Sequence, residues 1–160
     1  MNRTAGVNAV DHSVQIPIGE TTLEGNLIIP DGALGIVLFA HGSGSSRHSP
    51  RNQWVARQMH TANLGTLLID LLTPDEDKVD QYTRQYRFDI PRLAGRLVTA
   101  LDWLQTKPET AGFNVGLFGA STGAGAALIA AAELLLDLCR CRGRTRRDVP
   151  LSRPGEGPHR

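Results

Sequence analysis

The chain is poor in cysteine, has no long apolar run and carries almost no net charge. Of its 160 residues only two are cysteines, Cys139 and Cys141, and both fall among the last 24. That leaves no disulfide framework for the body of the protein and predicts a reducing, cytoplasmic setting. One C-x-C pair with no second pair at finger spacing is also a weak zinc or redox signal, so no metal site is expected. The opening residues, MNRTAGVNAVDHS, hold no apolar core of secretory-signal length. The longest apolar stretch, Ala124 to Leu136, is interrupted by Glu133 and is shorter than the roughly 20 residues that a bilayer span needs. No membrane partner is expected. There is no G-x-x-x-x-G-K-[ST] loop, which excludes a P-loop nucleotidase. A formal net charge of +1 argues against a nucleic-acid binder or a disordered polyelectrolyte. The length suits one domain.

The near-neutral total conceals an asymmetry. Residues 1–136 carry 10 basic and 13 acidic side chains, a net of −3, whereas residues 137–160 carry 7 arginines and 3 acids, a net of +4. Leu138, Val149 and Leu151 are the only aliphatic residues of that last stretch. It cannot bury enough apolar surface to offset its ordering entropy. An arginine cluster can contact nucleic acid or acidic membranes, but without an aromatic stacker or a helical pattern nonspecific adhesion is the better reading. The expectation is a folded domain over 1–136 and a disordered Arg/Gly/Pro-rich tail over 137–160.

The body alternates strand and helix signals. Val14 to Ile18 alternates apolar and polar residues, and Leu23 to Ile29 is a second strand candidate. Pro30-Asp31-Gly32 makes a turn. The continuous apolar runs Gly35–Ala40 and Thr66–Asp70 suit strands buried on both faces of a parallel sheet. Between them a Gly/Ser loop, His41 to Ser49, leads into a helix from Pro50 to about Thr61. Asp75, Glu76, Asp77 and Asp80 read as an acidic loop, in which solvated charge is a better account than a cation site. Ile90, Leu93, Ala94, Leu97, Val98, Leu101 and Leu104 share one helical face, with Asp89 as a cap and Pro91 in the first turn. Val115 to Phe118 is a short buried strand, and Thr122 to about Leu136 is a helix of Ala and Leu. The order β-β-β-α-β-α-β-α predicts an α/β fold, a mostly parallel sheet flanked by helices, with its first strands antiparallel.

Gly119-Ala120-Ser121-Thr122-Gly123 matches G-x-S-x-G, the nucleophile elbow. A serine on a sharp strand-to-helix turn has its hydroxyl exposed above the sheet edge, and small residues on either side let the backbone turn that tightly. The preceding buried strand and the following apolar helix supply that context, and the helix dipole favours negative charge there. His41-Gly42-Ser43-Gly44 directly follows another buried strand. In such folds that loop supplies one oxyanion amide and the residue after the nucleophile supplies the other, which here are the N–H groups of Ser43 and Thr122.

The segments GIVLFAHGSGSSRHSPRN, LLIDLLTPDE, RFDI and FGASTGAGAAL together resemble the dienelactone-hydrolase-like branch of the α/β-hydrolases, over roughly residues 14–133. Some actinobacterial relatives carry a similar domain fused to a phosphoribosyltransferase. The resemblance implies a Ser or Cys nucleophile, here Ser121, no metal and no organic cofactor. It also implies hydrolysis of a small-molecule carboxylic ester or lactone. His41, Gly42 and Arg47 are candidate substrate contacts. Arg47 and Arg51 suit an anionic substrate, although solvated loop charges and a loop-ordering role for His41 compete with that reading. Asp70, at a strand end, either lines the cleft or caps a turn.

A nucleophilic serine needs a base, and the base needs an orienting acid, in this fold in the order Ser, Asp or Glu, His. Only 39 residues follow Ser121, with no strand signal among them. Asp137, Asp148 or Glu156 with His159 fit the order, but nothing would hold them rigidly. The family-like text stops near Glu133, mid-helix, and the switch to Arg, Gly, Pro and Cys is what translating GC-rich DNA in another frame yields. The expectation is a truncated domain lacking its last strands, inactive by itself and prone to self-association through the incomplete sheet edge. The alternatives are a non-catalytic remnant or interaction module and, from Gly119, Gly123 and Gly125, a short-chain-dehydrogenase-like NAD(P) cradle. That cradle should open a βαβ unit, which it does not do here.

Overall fold

A computed structural model describes residues 9–144, with side-chain surroundings for residues 11–136. The elements in order are β1 (Ala9–Ile18), β2 (Thr21–Pro30), β3 (Gly35–Ala40), α1 (Pro50–Thr61), β4 (Leu64–Ile69), α2 (Pro74–Thr83), α3 (Ile90–Thr106), β5 (Val115–Gly119) and α4 (Thr122–Arg144). β1 and β2 form a long antiparallel hairpin, with Ala9 opposite Pro30 and Ile18 opposite Thr21. The sheet order is β1-β2-β4-β3-β5. β2 pairs antiparallel with β4, and β4, β3 and β5 run parallel. β2 and β3 are therefore not neighbours, although a short turn at Pro30–Gly32 joins them.

The two strands that read as continuous apolar runs, β3 and β4, are the interior strands of the parallel half. Helices cover both of its faces, which is why those strands do not alternate. On one face Leu38, Leu67 and Ile69 pack with Leu93, Leu97 and Leu104 of α3 and with Ala126 and Ala130 of α4. On the other, Phe39, Leu68 and Phe118 pack with Val55, Ala56 and Met59 of α1. The 3.6-residue period of α3 is repeated in its burial, with Leu93, Leu97, Ala100, Leu101 and Leu104 all buried. Asp89 caps that helix by accepting from the Arg92 amide.

Two readings of the sequence are corrected. The acidic stretch is a helix, α2. Thr73 and Glu76 form a reciprocal capping box, Pro74 occupies the first turn, and three acids stand where the helix dipole favours negative charge. α4 does not stop near Leu136 but continues to Arg144. Leu138, Arg140 and Arg142 are good helix formers, so local propensity outlasts the apolar pattern. Residues 145–160 lie outside the described residues. Among the described residues no helix is long and apolar enough to cross a membrane.

Leu97 is fully buried where α3 meets the sheet. Leu97→Ala is expected to lower the unfolding free energy by about 2–5 kcal/mol, read as a shift of the urea midpoint at unchanged slope.

Candidate active site

The turn between β5 and α4 is built by what two glycines lack. A Cβ on Gly119 would lie 2.6 Å from the Gly123 carbonyl oxygen, and one on Gly123 would overlap the carbonyl oxygens of Ala40 and His41. The start of α4 thus passes directly over the end of β3, with no room for a side chain between them. Ser121, between these glycines, has φ of +53°. A residue with a Cβ adopts that left-handed conformation only where its surroundings over-determine it, at a cost of order 1–3 kcal/mol. Ser121 is exposed, at the carboxyl end of the parallel strands, where ligands bind in open α/β sheets.

The loop after β3 closes against this turn. A Cβ on Gly42 would stand 3.1 Å from the Ala120 carbonyl oxygen and 3.3 Å from the Ser121 Cβ. Ser43, the next residue, is therefore held beside the serine. The loop folds back through the Ser45 amide, which donates to the Gly42 carbonyl at 3.1 Å, with Gly44 at φ +71°. Thr122 is the first residue of α4, so its amide has no carbonyl in the preceding turn to bond. Its Oγ1 is buried and has no hydrogen-bond partner among the described residues.

His41 and Arg47 both make hydrogen bonds to the scaffold, and His41 also lines the cleft. The Leu71 amide donates to His41 Nε2 at 2.9 Å. An amide can only donate, so Nε2 is unprotonated and Nδ1–H donates to the Gly42 carbonyl, also at 2.9 Å. With both ring nitrogens occupied and the ring buried, His41 fixes the loop. The Arg47 guanidinium donates to Asn26 at 3.0 Å, to Glu24 at 2.6 Å and to Asp70, while its amide donates to Asp70 at 2.7 Å. Asp70 therefore both borders the cleft and anchors the loop, and Gly42 acts by packing.

A second layer of ions stands behind these groups. Arg96, buried in α3, donates to the Leu71 carbonyl and to Glu76 at 2.5 Å. Glu76 in turn accepts from the Thr73 amide at 2.9 Å and from Arg92 at 3.0 Å. Asp80 accepts from the Tyr86 amide at 2.7 Å, the Arg87 amide at 3.1 Å and Arg87 Nε at 2.5 Å. It ties the segment between α2 and α3 to the cleft wall. Burial alone would raise both carboxyls. For Asp80 the Arg87 guanidinium and the Tyr86 and Arg87 amides outweigh it, and for Glu76 Arg96 and Thr73 do, so both titrate below the ordinary carboxylate range. Asp75, Glu76 and Asp80 thus pair with Lys78, Arg96 and Arg87, while Asp77 accepts from Gln81, and no group of His, Cys, Asp or Glu able to hold a metal occurs among the described residues. The capping-box spacing Thr73–Glu76 was visible in the sequence, whereas the partners of Arg96 and Asp80 were not.

These elements enclose a cleft of about 860 Å³, bordered by Ser43, Asp70, Leu72, Asp80, Arg87 and Thr122 among others. Thr122, next to Ser121 in the chain, and Gly42, packed against it, line this cleft. The structure thus brings Ser121, Thr122, Ser43 and Gly42 together. Asp148, Glu156 and His159, and the side chain of Asp137, lie outside the described residues, as do the side chains of Cys139 and Cys141.

No family model matches the chain. Two Mycobacterium tuberculosis proteins, from strains CDC 1551 and H37Rv, are each 53% identical to it over 123 residues, which is 77% of this chain and 27% of theirs. Both carry the name phosphoribosyl transferase. The chain therefore spans about a quarter of the length of these curated relatives. Dienelactone hydrolase from Anabaena variabilis is similar in structure at a TM-score of 0.76 and 60% identity, over 78% of this chain and 58% of that one. An esterase from Pyrococcus furiosus matches at a TM-score of 0.61 and 19% identity, over 76% of this chain and 45% of that one, a likeness of fold alone.

Asp80 and Glu76 supply the pH prediction for this site. A carboxyl whose folded-state pKa is lowered contributes stability above its unfolded value, about 4, and loses it as pH falls through the folded value. The urea midpoint is expected to fall as pH drops below about 4. Asp80→Asn is expected to lower the midpoint at neutral pH and flatten the acid limb, read by urea titrations at stepped pH.

Proposed function

This chain belongs to the α/β-hydrolases and resembles dienelactone hydrolase among them, and from that premise we propose that it is the nucleophile-bearing part of a serine hydrolase acting on a small carboxylic ester or lactone. The left-handed Ser121 at the β5–α4 elbow carries this reading. In it, Ser121 Oγ attacks the substrate carbonyl, and the oxygen that becomes negative is received by the amides of Thr122 and Ser43. The first stands at a helix N-terminus and the second on a loop locked by His41 and Arg47. One such donor is worth about 2.7–4 kcal/mol of transition-state stabilisation. The transferase name of the curated relatives belongs to proteins of which this chain matches 27%, and it does not bear on the elbow.

The proton of Ser121 needs a base, and His41 is not free to be one: both its ring nitrogens are occupied. In a comparable triad, losing the serine or the histidine costs about 10⁶ in kcat and leaves roughly 10³–10⁴ over water. Turnover by this chain alone is therefore expected to be close to background. A non-catalytic binding module is the second reading, favoured by that same occupied imidazole.

An external base separates the two. A fluorophosphonate probe is expected to label Ser121 slowly and to label it faster as imidazole is added, with Ser121→Ala abolishing the signal. Labelling that imidazole does not accelerate, or that persists in Ser121→Ala, speaks for the binding module. Rapid ester turnover by the purified chain, lost in Ser121→Ala, would overturn the expected lack of competence.

A further inference from the structure

We propose that the cleft sorts its substrates by charge, taking an ester or lactone that carries a cationic group in preference to one that ends in a carboxylate. That the bound molecule is an ester rests on the hydrolase reading, and its charge is read from the residues around the cleft. The two arginines nearest the cleft are already engaged. The one positive charge of Arg47 meets two carboxylates, Glu24 at 2.6 Å and Asp70, and its Nε donates to Asn26 at 3.0 Å. Arg87 borders the cleft, but its Nε donates to the Asp80 carboxylate at 2.5 Å and its Nη2 to the Asp80 carbonyl at 3.0 Å. Its Nη1 lies 3.8 Å from where a Cβ on Gly44 would stand. A carboxylate laid on that nitrogen would share a single positive charge with buried Asp80. Arg51, exposed on α1, is not among the residues that line the cleft.

Carboxylates outnumber these arginines. Glu24, Asp70, Asp77 and Asp80 all border the cleft. Arg47 and Arg87 balance two of the four, which leaves two negative charges. One is shared by Glu24 and Asp70 around Arg47. The other is on Asp77, which accepts from the neutral Gln81 side chain at 3.1 Å and has no ion-pair partner among the described residues. The ions farther back do not offset this excess, because Glu76 and Asp89 balance Arg92 and Arg96, and Asp75 balances Lys78.

Leu72 and Leu93 line the same cleft, and low-dielectric walls focus such a field. The helix N-terminus at Thr122 acts locally on the carbonyl oxygen, since its dipole fades within the first turn. A substrate carboxylate entering here would give up hydration and meet like charge, which is one way a site rejects a near relative of its ligand. An ammonium group would meet its opposite.

Three acetate esters of similar size test this: acetylcholine, the uncharged ester in which carbon replaces its quaternary nitrogen, and the acetate ester of hydroxybutanoic acid, which ends in a carboxylate. Binding to the full chain is followed by the amide resonances of Ser43, Gly44 and Gln81. Because His48 also borders the cleft, titrations are run at about pH 8, above the usual imidazole range. Two unit charges about 8 Å away in a water-like dielectric make the cation bind about fivefold more tightly than the uncharged ester at low salt, and the carboxylate about fivefold more weakly. Salt at about 1 M, which screens beyond roughly 3 Å, is expected to bring the three together. Asp77→Asn is expected to cut each step to about twofold, whereas Asp102→Asn, at an exposed position of α3, should leave the order unchanged. Should Asp77→Asn fail to fold, the salt dependence of the unmodified chain decides. Binding is read without turnover, so the order can fail while Ser121 still labels, and labelling can fail while the order holds. Equal affinities, tightest binding by the carboxylate, no binding by the cationic ester, an order that salt leaves standing, or a preference untouched in folded Asp77→Asn would each overturn the proposal.

Discussion

The passage of α4 over the end of β3 is the contact on which the rest of the site depends. Gly123 stands so close to the carbonyls of Ala40 and His41 that no Cβ fits. That closeness sets the angle at which the helix leaves β5, and the angle forces Ser121 into the left-handed region. It also brings a helix N-terminus next to the loop that leaves β3, so that the amides of two separate strand ends border one cleft. Gly119 and Gly42 extend the same steric argument to either side.

Steric closeness places the loop, but ions hold it. Arg47 reaches from the loop to β2 and to the end of β4, and His41 bonds the Leu71 amide just beyond β4. Arg96 takes the carbonyl of that same Leu71 and hands the restraint to Glu76 and the cap of α2. A loop rich in glycine and serine would otherwise sample many conformations, at an entropic cost that an oxyanion site cannot carry into each turnover. Breaking one partner of such a half-buried pair leaves the other uncompensated, so the arginines and acids act as a set.

The same geometry explains the uneven apolar surface. The first turns of α4 approach β3 and α3 through Gly and Ala, and Leu128, Leu135 and Leu136 are left on the far side. The sharp turn at Ser121 and the apolar stripe are thus two consequences of one close helix–sheet contact.

Much of this was legible in the sequence, because it was written in local patterns. The apolar runs of β3 and β4, the period of α3, the strand–turn–helix context of G-x-S-x-G and the His-Gly-Ser-Gly loop all depend on near neighbours. The capping box of α2 was equally local, but it was hidden by reading its acids as solvated charge. The roles of His41, Arg47, Asp70 and Arg96 were decided only in three dimensions. Their partners lie 21 to 30 residues away, in the cases of Asn26, Asp70, Leu71 and Glu24. A side chain able to donate or to pair charge carries no mark in the sequence of which of these partners it will meet. The sequence alone thus determined the strands, the core-facing helix α3 and the tight strand–turn–helix setting of Ser121, whose requirements are steric and local. Whether a polar residue faces substrate or scaffold was decided by tertiary structure, because strand order sets which chain ends come together.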